Sequence, residues 1–145
     1  MPKTLFVAGA VLAALLAGAC KSSTGPSTDS LVGTWDATKA EYVKVSDTGT
    51  KVDVVAEGST VSLVLTASTF TFTVDDARAE QTTLTGTWTK STDTLTLEPS
   101  GVSYTIVFEM TLNGSTLTLD GGGVMFDFTS TGTFEDATLN MVLTK

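Results

Sequence analysis

The side chains that could do chemistry in this chain are few, and most of them are carboxylates. None of the 145 residues is histidine, which removes the commonest general base, pH switch and metal ligand. Nucleophilic arrangements of the Ser-His-Asp or Cys-His type are therefore excluded. Cys20 is the only cysteine, so zinc sites built from Cys and His are excluded as well, and no intramolecular disulfide can form. The remaining candidates are Asp75, Asp76, Glu80, Asp127, Glu135 and Asp136. Two carboxylates flanking one bond could serve as acid and base in glycoside hydrolysis. However, Asp75, Asp76 and Glu80 fall in a polar loop and Glu135-Asp136 in a turn before the last strand, where a solvated acidic cluster is the plainer reading. A calcium loop needs a denser array of ligands. Gly121-Gly122-Gly123 is not a phosphate loop, because no helix and no Lys-Ser/Thr pair follow it. The sequence thus predicts a protein that is not an enzyme and uses no metal or cofactor. Binding remains.

The elements that would position a binding site are strands. From Leu31 onward the dominant period is two. In VSYTIVFEMTL, residues 102–112, Val102, Tyr104, Ile106, Phe108, Met110 and Leu112 share one face, the pattern of a half-buried strand. The same alternation marks 61–67, 70–74, 124–128 and 137–143. Turn signals separate the runs: Asn113-Gly114 suits a two-residue hairpin, and Gly121–Gly123 after Asp120 reads as another reversal, with weaker signals at 48–49, 58–59, 91–93 and 99–101. About 8–10 short strands with short connections result, without a convincing helical period after residue 30. The fold class expected is all-β, a single antiparallel up-and-down β-barrel, since closure removes exposed sheet edges. A Greek-key sandwich is the competing arrangement, because period and spacing do not fix strand order. A membrane-spanning barrel fits poorly. It needs an apolar outer band, whereas the second face here is mostly Thr, Asp and Glu.

The formal charge is −8. Nucleic acid is not an expected partner, because phosphate contacts need clustered Lys and Arg. The first residues differ from the rest. MPKTLFVAGAVLAALLAGAC has Lys3, an apolar run over 5–16 and small residues ending at Cys20, the layout of a secretory signal. The run is too short for a comfortable membrane span. AGAC at 17–20 resembles a bacterial lipobox, although the family usually has Leu where Ala17 stands. Ala17-Gly18-Ala19 also fits an ordinary A-x-A cleavage site. Both readings cut before Cys20, and lipid on Cys20 would account for an otherwise exposed thiol in an exported protein. The expected organisation is a signal over 1–19, a lipidated Cys20 with a flexible polar tether over 20–30, and the β-domain over 31–145. By resemblance to such lipoproteins, Lys21 in place of Asp points to the outer membrane of a bacterial cell envelope.

LVGTW at 31–35 and LTGTW at 84–88 contain the only two tryptophans. A glycine two residues before a tryptophan shares its strand face and admits another backbone, while Trp covers a wide apolar area and its N–H seeks an acceptor. Placed at the start of the first strand, Gly33-Thr34-Trp35 resembles the lipocalin signature G-x-W. The order of elements over 31–145 is similar to the small bacterial lipocalin-like domains, which carry a second G-T-W in mid-chain, as Gly86-Thr87-Trp88 does here. The resemblance implies a structural Trp35 that closes the barrel under a basic side chain near the chain's end, for which Lys145 is the candidate, although the family more often has Arg.

If the barrel closes, the lining expected is Leu63, Leu65, Phe70, Phe72, Trp88, Tyr104, Ile106, Phe108, Val124, Phe126, Phe128, Leu139 and Met141, with Tyr104 the one residue bearing a hydroxyl. For Trp88, simple core packing is the plainer role. A lining so apolar suits a small hydrophobic, lipid-like ligand. If instead these side chains fill the barrel, the domain is an interaction, inhibitor or scaffold module of the envelope that contacts another protein through loops or its acidic face.

Overall fold

The computed structural model describes residues 25–78 and 80–145. The signal segment, Cys20 and the first part of the tether lie outside the described residues. Among the described residues nine strands follow one short helix: α1 Thr28–Leu31, β1 Gly33–Lys44, β2 Lys51–Asp53, β3 Thr60–Leu65, β4 Thr69–Asp75, β5 Thr82–Lys90, β6 Thr94–Pro99, β7 Ile106–Asn113, β8 Thr116–Phe126 and β9 Glu135–Thr144. Apart from β2, each strand pairs antiparallel with its sequence neighbour, and β1 pairs with both β3 and β9. Eight strands therefore close into an up-and-down barrel, and the sequential order excludes the Greek-key sandwich. β2 is a short addition alongside Glu41–Val43 of β1.

Period two explains most of the core. β7 and β9 alternate buried and open positions along nearly their whole length, so one face of each strand packs inward. The outward face carries threonines, including the cross-strand pairs Thr71 with Thr85, Thr73 with Thr83 and Thr89 with Thr96. Such β-branched pairs suit a pleated surface in contact with water. No helix among the described residues is long and apolar enough to cross a membrane.

Two bulges shift that period. In β1 the register jumps between Ala37 and Lys39, so the inward positions change from Trp35 to Ala40 and Tyr42, all three buried. In β8 it jumps between Leu119 and Gly122. Gly121–Gly123 is therefore not the reversal that the sequence suggested: the strand runs through it. Gly121 has φ +85, a conformation that glycine adopts without steric cost, and its N–H donates to Asn140 Oδ1 at 2.9 Å. A Cβ at Gly122 would overlap the buried Phe108 ring. The reversal into β9 falls at 127–134, and Glu135 and Asp136 begin that strand rather than forming a turn.

Three other expectations shift. The hairpin centre is Gly114-Ser115, one residue beyond Asn113-Gly114, with Gly114 at φ +61 in the position that a glycine-first hairpin turn requires. β7 starts only at Ile106, so Val102 and Tyr104 stand on a loop, half exposed. The tether does not stay extended to residue 30, because Thr28–Leu31 form one helical turn, capped by Ser27 and ending on a fully buried Leu31.

Candidate functional site

The barrel's two ends differ. At one end lie the chain's entrance, its last residue and the β3–β4, β5–β6 and β7–β8 turns. Trp35 is fully buried here and donates its indole N–H to the Leu31 carbonyl at 2.7 Å. Lys145 Nζ stands 4.5 Å from the Trp35 ring centroid and donates to the carbonyls of Ser30 at 2.7 Å and Val32 at 3.1 Å. One ammonium thus joins helix α1, the first strand and the tryptophan. The second tryptophan, Trp88, donates to the Thr66 carbonyl at 3.0 Å. Its glycine, Gly86, lies against β6 so closely that a Cβ would overlap the Glu98 carbonyl and Pro99 backbone. Gly33 serves a different need. No backbone crowds it; it holds φ +140, and the Lys145 stem rests beside it.

Four of the side chains expected in the lining belong to this packed end. Leu63, Leu65, Phe70 and Trp88 are buried in the core and do not reach the cavity. Two tryptophans and their neighbours use up the space between strands, as side chains do in a barrel of eight strands. The reading of Trp88 as core is the one its geometry fits.

Toward the other end the inward side chains shrink. Val74, Thr82, Val124 and Ala137 line a cavity of about 920 Å³ that opens between the loops, a size within the range of small-molecule sites. Of the expected lining, Phe72, Tyr104, Ile106, Phe108, Val124, Phe126, Leu139 and Met141 are there. Phe128 is one step removed, set edge-on to Phe126 with centroids 5.0 Å apart. Tyr104 belongs to the rim, 51% exposed, so it is not an interior polar tip.

The interior polar tip is Tyr42. It is 7% exposed and stacks on Phe126 at 4.0 Å. Burial first, then the Asp76 charge, pushes its hydroxyl up to about 12, with Arg78 opposing, so it stays protonated at neutral pH. The β1 bulge hid Tyr42 from a strict alternation counted from Trp35. An inward Ala40 and Tyr42 two residues apart were the available signal.

The mouth carries Asp76, Arg78, Glu80, Asp127 and Asp136. Arg78 Nε lies 3.4 Å from both Asp76 Oδ1 and Glu57 Oε2, and its guanidinium stands 5.1 Å from the Phe126 centroid. Burial raises the Asp76 carboxyl, but the N–H groups and charge of Arg78 and the Ser59 hydroxyl outweigh it and hold it below its ordinary value. Asp127 is likewise lowered: its partial desolvation is outweighed by N–H donors from Gly132, Thr129 and Thr131. A general acid needs the opposite shift. Asp75 ends β4 on an exposed position. Among the described residues no group of three carboxylates converges as a metal site.

A closed eight-stranded meander, with a G-x-W tryptophan under a terminal ammonium at one end and a cavity at the other, has a counterpart among known families. The family described as lipocalin-like domain matches residues 31–119, from the end of α1 into β8. The chain belongs to the lipocalin-like domain family. No curated protein matches the chain, and no solved structure does. The lipocalin-like match stops within β8. The structure shows that the rest of β8 and β9 complete the barrel, with β9 pairing β1 over Asp36–Lys44.

Proposed function

We propose that this lipocalin-like domain binds a small hydrophobic, lipid-like molecule in the open half of its barrel, without catalysis, and does so as an exported lipoprotein anchored through Cys20. The observation that carries the reading is the cavity of about 920 Å³ walled by Phe72, Ile106, Phe108, Val124, Leu139 and Met141. A volume of that size with an apolar wall retains a molecule by removing its apolar surface from water, at about 25 cal/mol per Å². Family membership supports ligand binding in general.

The anchor rests on the signal-like residues 1–19 and the lipobox-like AGAC. The chain's course agrees with it. Gly25 lies against the Thr92 backbone in the β5–β6 turn, at the closed end. Four residues lie between Cys20 and Gly25, and the five steps of chain reach at most about 18 Å. A lipid on Cys20 would therefore hold the closed end near the bilayer and turn the mouth away from it. The outer membrane is the location proposed.

A second reading, a module that docks another protein, is favoured by one observation. Of the six exposed large apolar side chains among the described residues, Val45, Tyr104, Met125 and Phe134 line the mouth. In the ligand reading they form an apolar lip.

Native mass spectrometry of the full-length protein isolated in mild detergent tests the proposal. A non-covalent adduct that is lost on denaturation supports it and gives the ligand's mass. No adduct, together with no uptake of a neutral apolar dye, would sink it and favour the docking module.

A further inference from the structure

Resting on the ligand-binding reading, we infer that the cavity selects amphiphiles with a cationic, ammonium-type head group over neutral or anionic ones. The wall is apolar, so the choice lies at the mouth. Four carboxylates line it, Asp76, Glu80, Asp127 and Asp136, against one cation, Arg78. Arg78 is already engaged by Asp76 and Glu57. Glu80, Asp127 and Asp136 have no ion pair among the described residues. The β1–β3 connection beside the mouth adds Asp47, Asp53 and Glu57 against Lys51. The chain as a whole carries a formal charge of −8. A mouth of one sign, backed by low-dielectric walls, raises the local concentration of the opposite charge. It repels a carboxylate head.

A second, separate feature points inward to a ligand. Tyr42 is more than nine-tenths buried, lines the cavity and makes no hydrogen bond to another described residue. Among the described residues no fully buried side-chain oxygen lacks a partner, so this unpaired hydroxyl reaches the cavity space. The charges acting on it are Asp76 and Arg78. Its oxygen offers lone pairs to an N–H donor. The stacked pair Tyr42–Phe126 with the edge-on Phe128 makes an aromatic wall, and that wall already holds a cation, the Arg78 guanidinium. Aromatic walls of this kind attract ammonium groups. A single-chain amine therefore finds its chain among Ile106, Leu139 and Met141 and its head between Tyr42, Phe126 and the unpaired carboxylates.

The experiment compares dodecylamine, dodecanol and dodecanoic acid as competitors of the neutral dye N-phenyl-1-naphthylamine on the full-length protein at neutral pH, each below its aggregation threshold. The amine is expected to bind about tenfold tighter than the alcohol, equivalent to about 1.4 kcal/mol, with the acid weakest. The amine-to-alcohol ratio should fall as salt rises to about 0.5 M, where the screening length is only a few ångströms. It should fall several-fold in Asp136→Asn. Alcohol or acid binding as tightly as the amine, or a ratio that ignores salt, overturns the head-group inference while leaving the apolar-ligand reading intact. No dye uptake and no competition by any of the three overturns both.

Discussion

Gly86→Ala should be the most damaging single-methyl change in the barrel. The added Cβ would overlap backbone, the Glu98 carbonyl and Pro99 Cα, not the movable end of a side chain. β5 and β6 would have to separate where Gly86 pairs Pro99 and Trp88 pairs Leu97. Trp88 would then lose part of its packing and its bond to Thr66. Overpacking a tight site costs about 1–3 kcal/mol, and this one adds a strained ladder, so about 3 kcal/mol is expected. For a domain of this size that is roughly 12 °C in Tm, taking about 4 °C per kcal/mol. Gly123→Ala is the internal control. Nothing lies within 4 Å of its would-be Cβ, and reduced freedom of the unfolded chain should leave stability unchanged or raised by a few tenths of a kcal/mol. Thermal unfolding followed by far-ultraviolet circular dichroism, with urea titrations, measures both. A Gly86→Ala loss below about 1 kcal/mol, or equal losses for the two variants, would refute the close-approach argument.

Lys145→Met should lower Tm by several degrees, because it keeps the stem and removes the ammonium that holds the Ser30 and Val32 carbonyls; Lys145→Arg should restore most of it, and differential scanning calorimetry reads both. Asp76 and Asp127 take up protons less readily folded than unfolded, so their contribution is present above the ordinary carboxyl value of 3.8 and is lost as pH falls below it; urea midpoints from pH 7 downward should hold steady and then drop, less steeply in Asp127→Asn. In Tyr104→Phe, the remaining Tyr42 should ionise near 12 by ultraviolet absorbance, and stability should decline from about pH 10 upward, where the unfolded tyrosine loses its proton first. Tyr42→Phe should keep the fold and weaken the amine several-fold in the dye competition.

Where strands alternate strictly, as in β7 and β9, the sequence reveals which residues face inward, and the apolar wall at Ile106, Phe108, Leu139 and Met141 was legible for that reason. Trp35 and Lys145 were legible through the G-x-W resemblance. What was hidden depends on local backbone geometry. A bulge carries almost no compositional mark, so the parity change after Ala37 concealed Tyr42. Three glycines look like a turn, but the chain bends only at a bulge at Gly121 and leaves Gly122 for the Phe108 ring. One helical turn at Thr28–Leu31 is too short to show a period, and it is fixed by tertiary contacts, the Lys145 ammonium and the Trp35 indole. Alternation also cannot tell a filled layer from an empty one. The division between the packed end at Leu63, Leu65, Phe70 and Trp88 and the open end at Val124 and Ala137 depends on side-chain volumes at matched heights, which only the register supplies. The acidic rim was visible as single carboxylates; their convergence on one mouth was not, because the loops are distant in sequence.

The most direct test of the central claim is intermolecular nuclear Overhauser contact between a bound alkyl chain and assigned methyl groups of the barrel. With dodecylamine, contacts are expected at Ile106, Val124, Leu139 and Met141, and none at Leu63 or Leu65. Contacts confined to outward methyls such as Val107, or none with the chain demonstrably bound, would contradict an apolar cavity in the open half of the barrel.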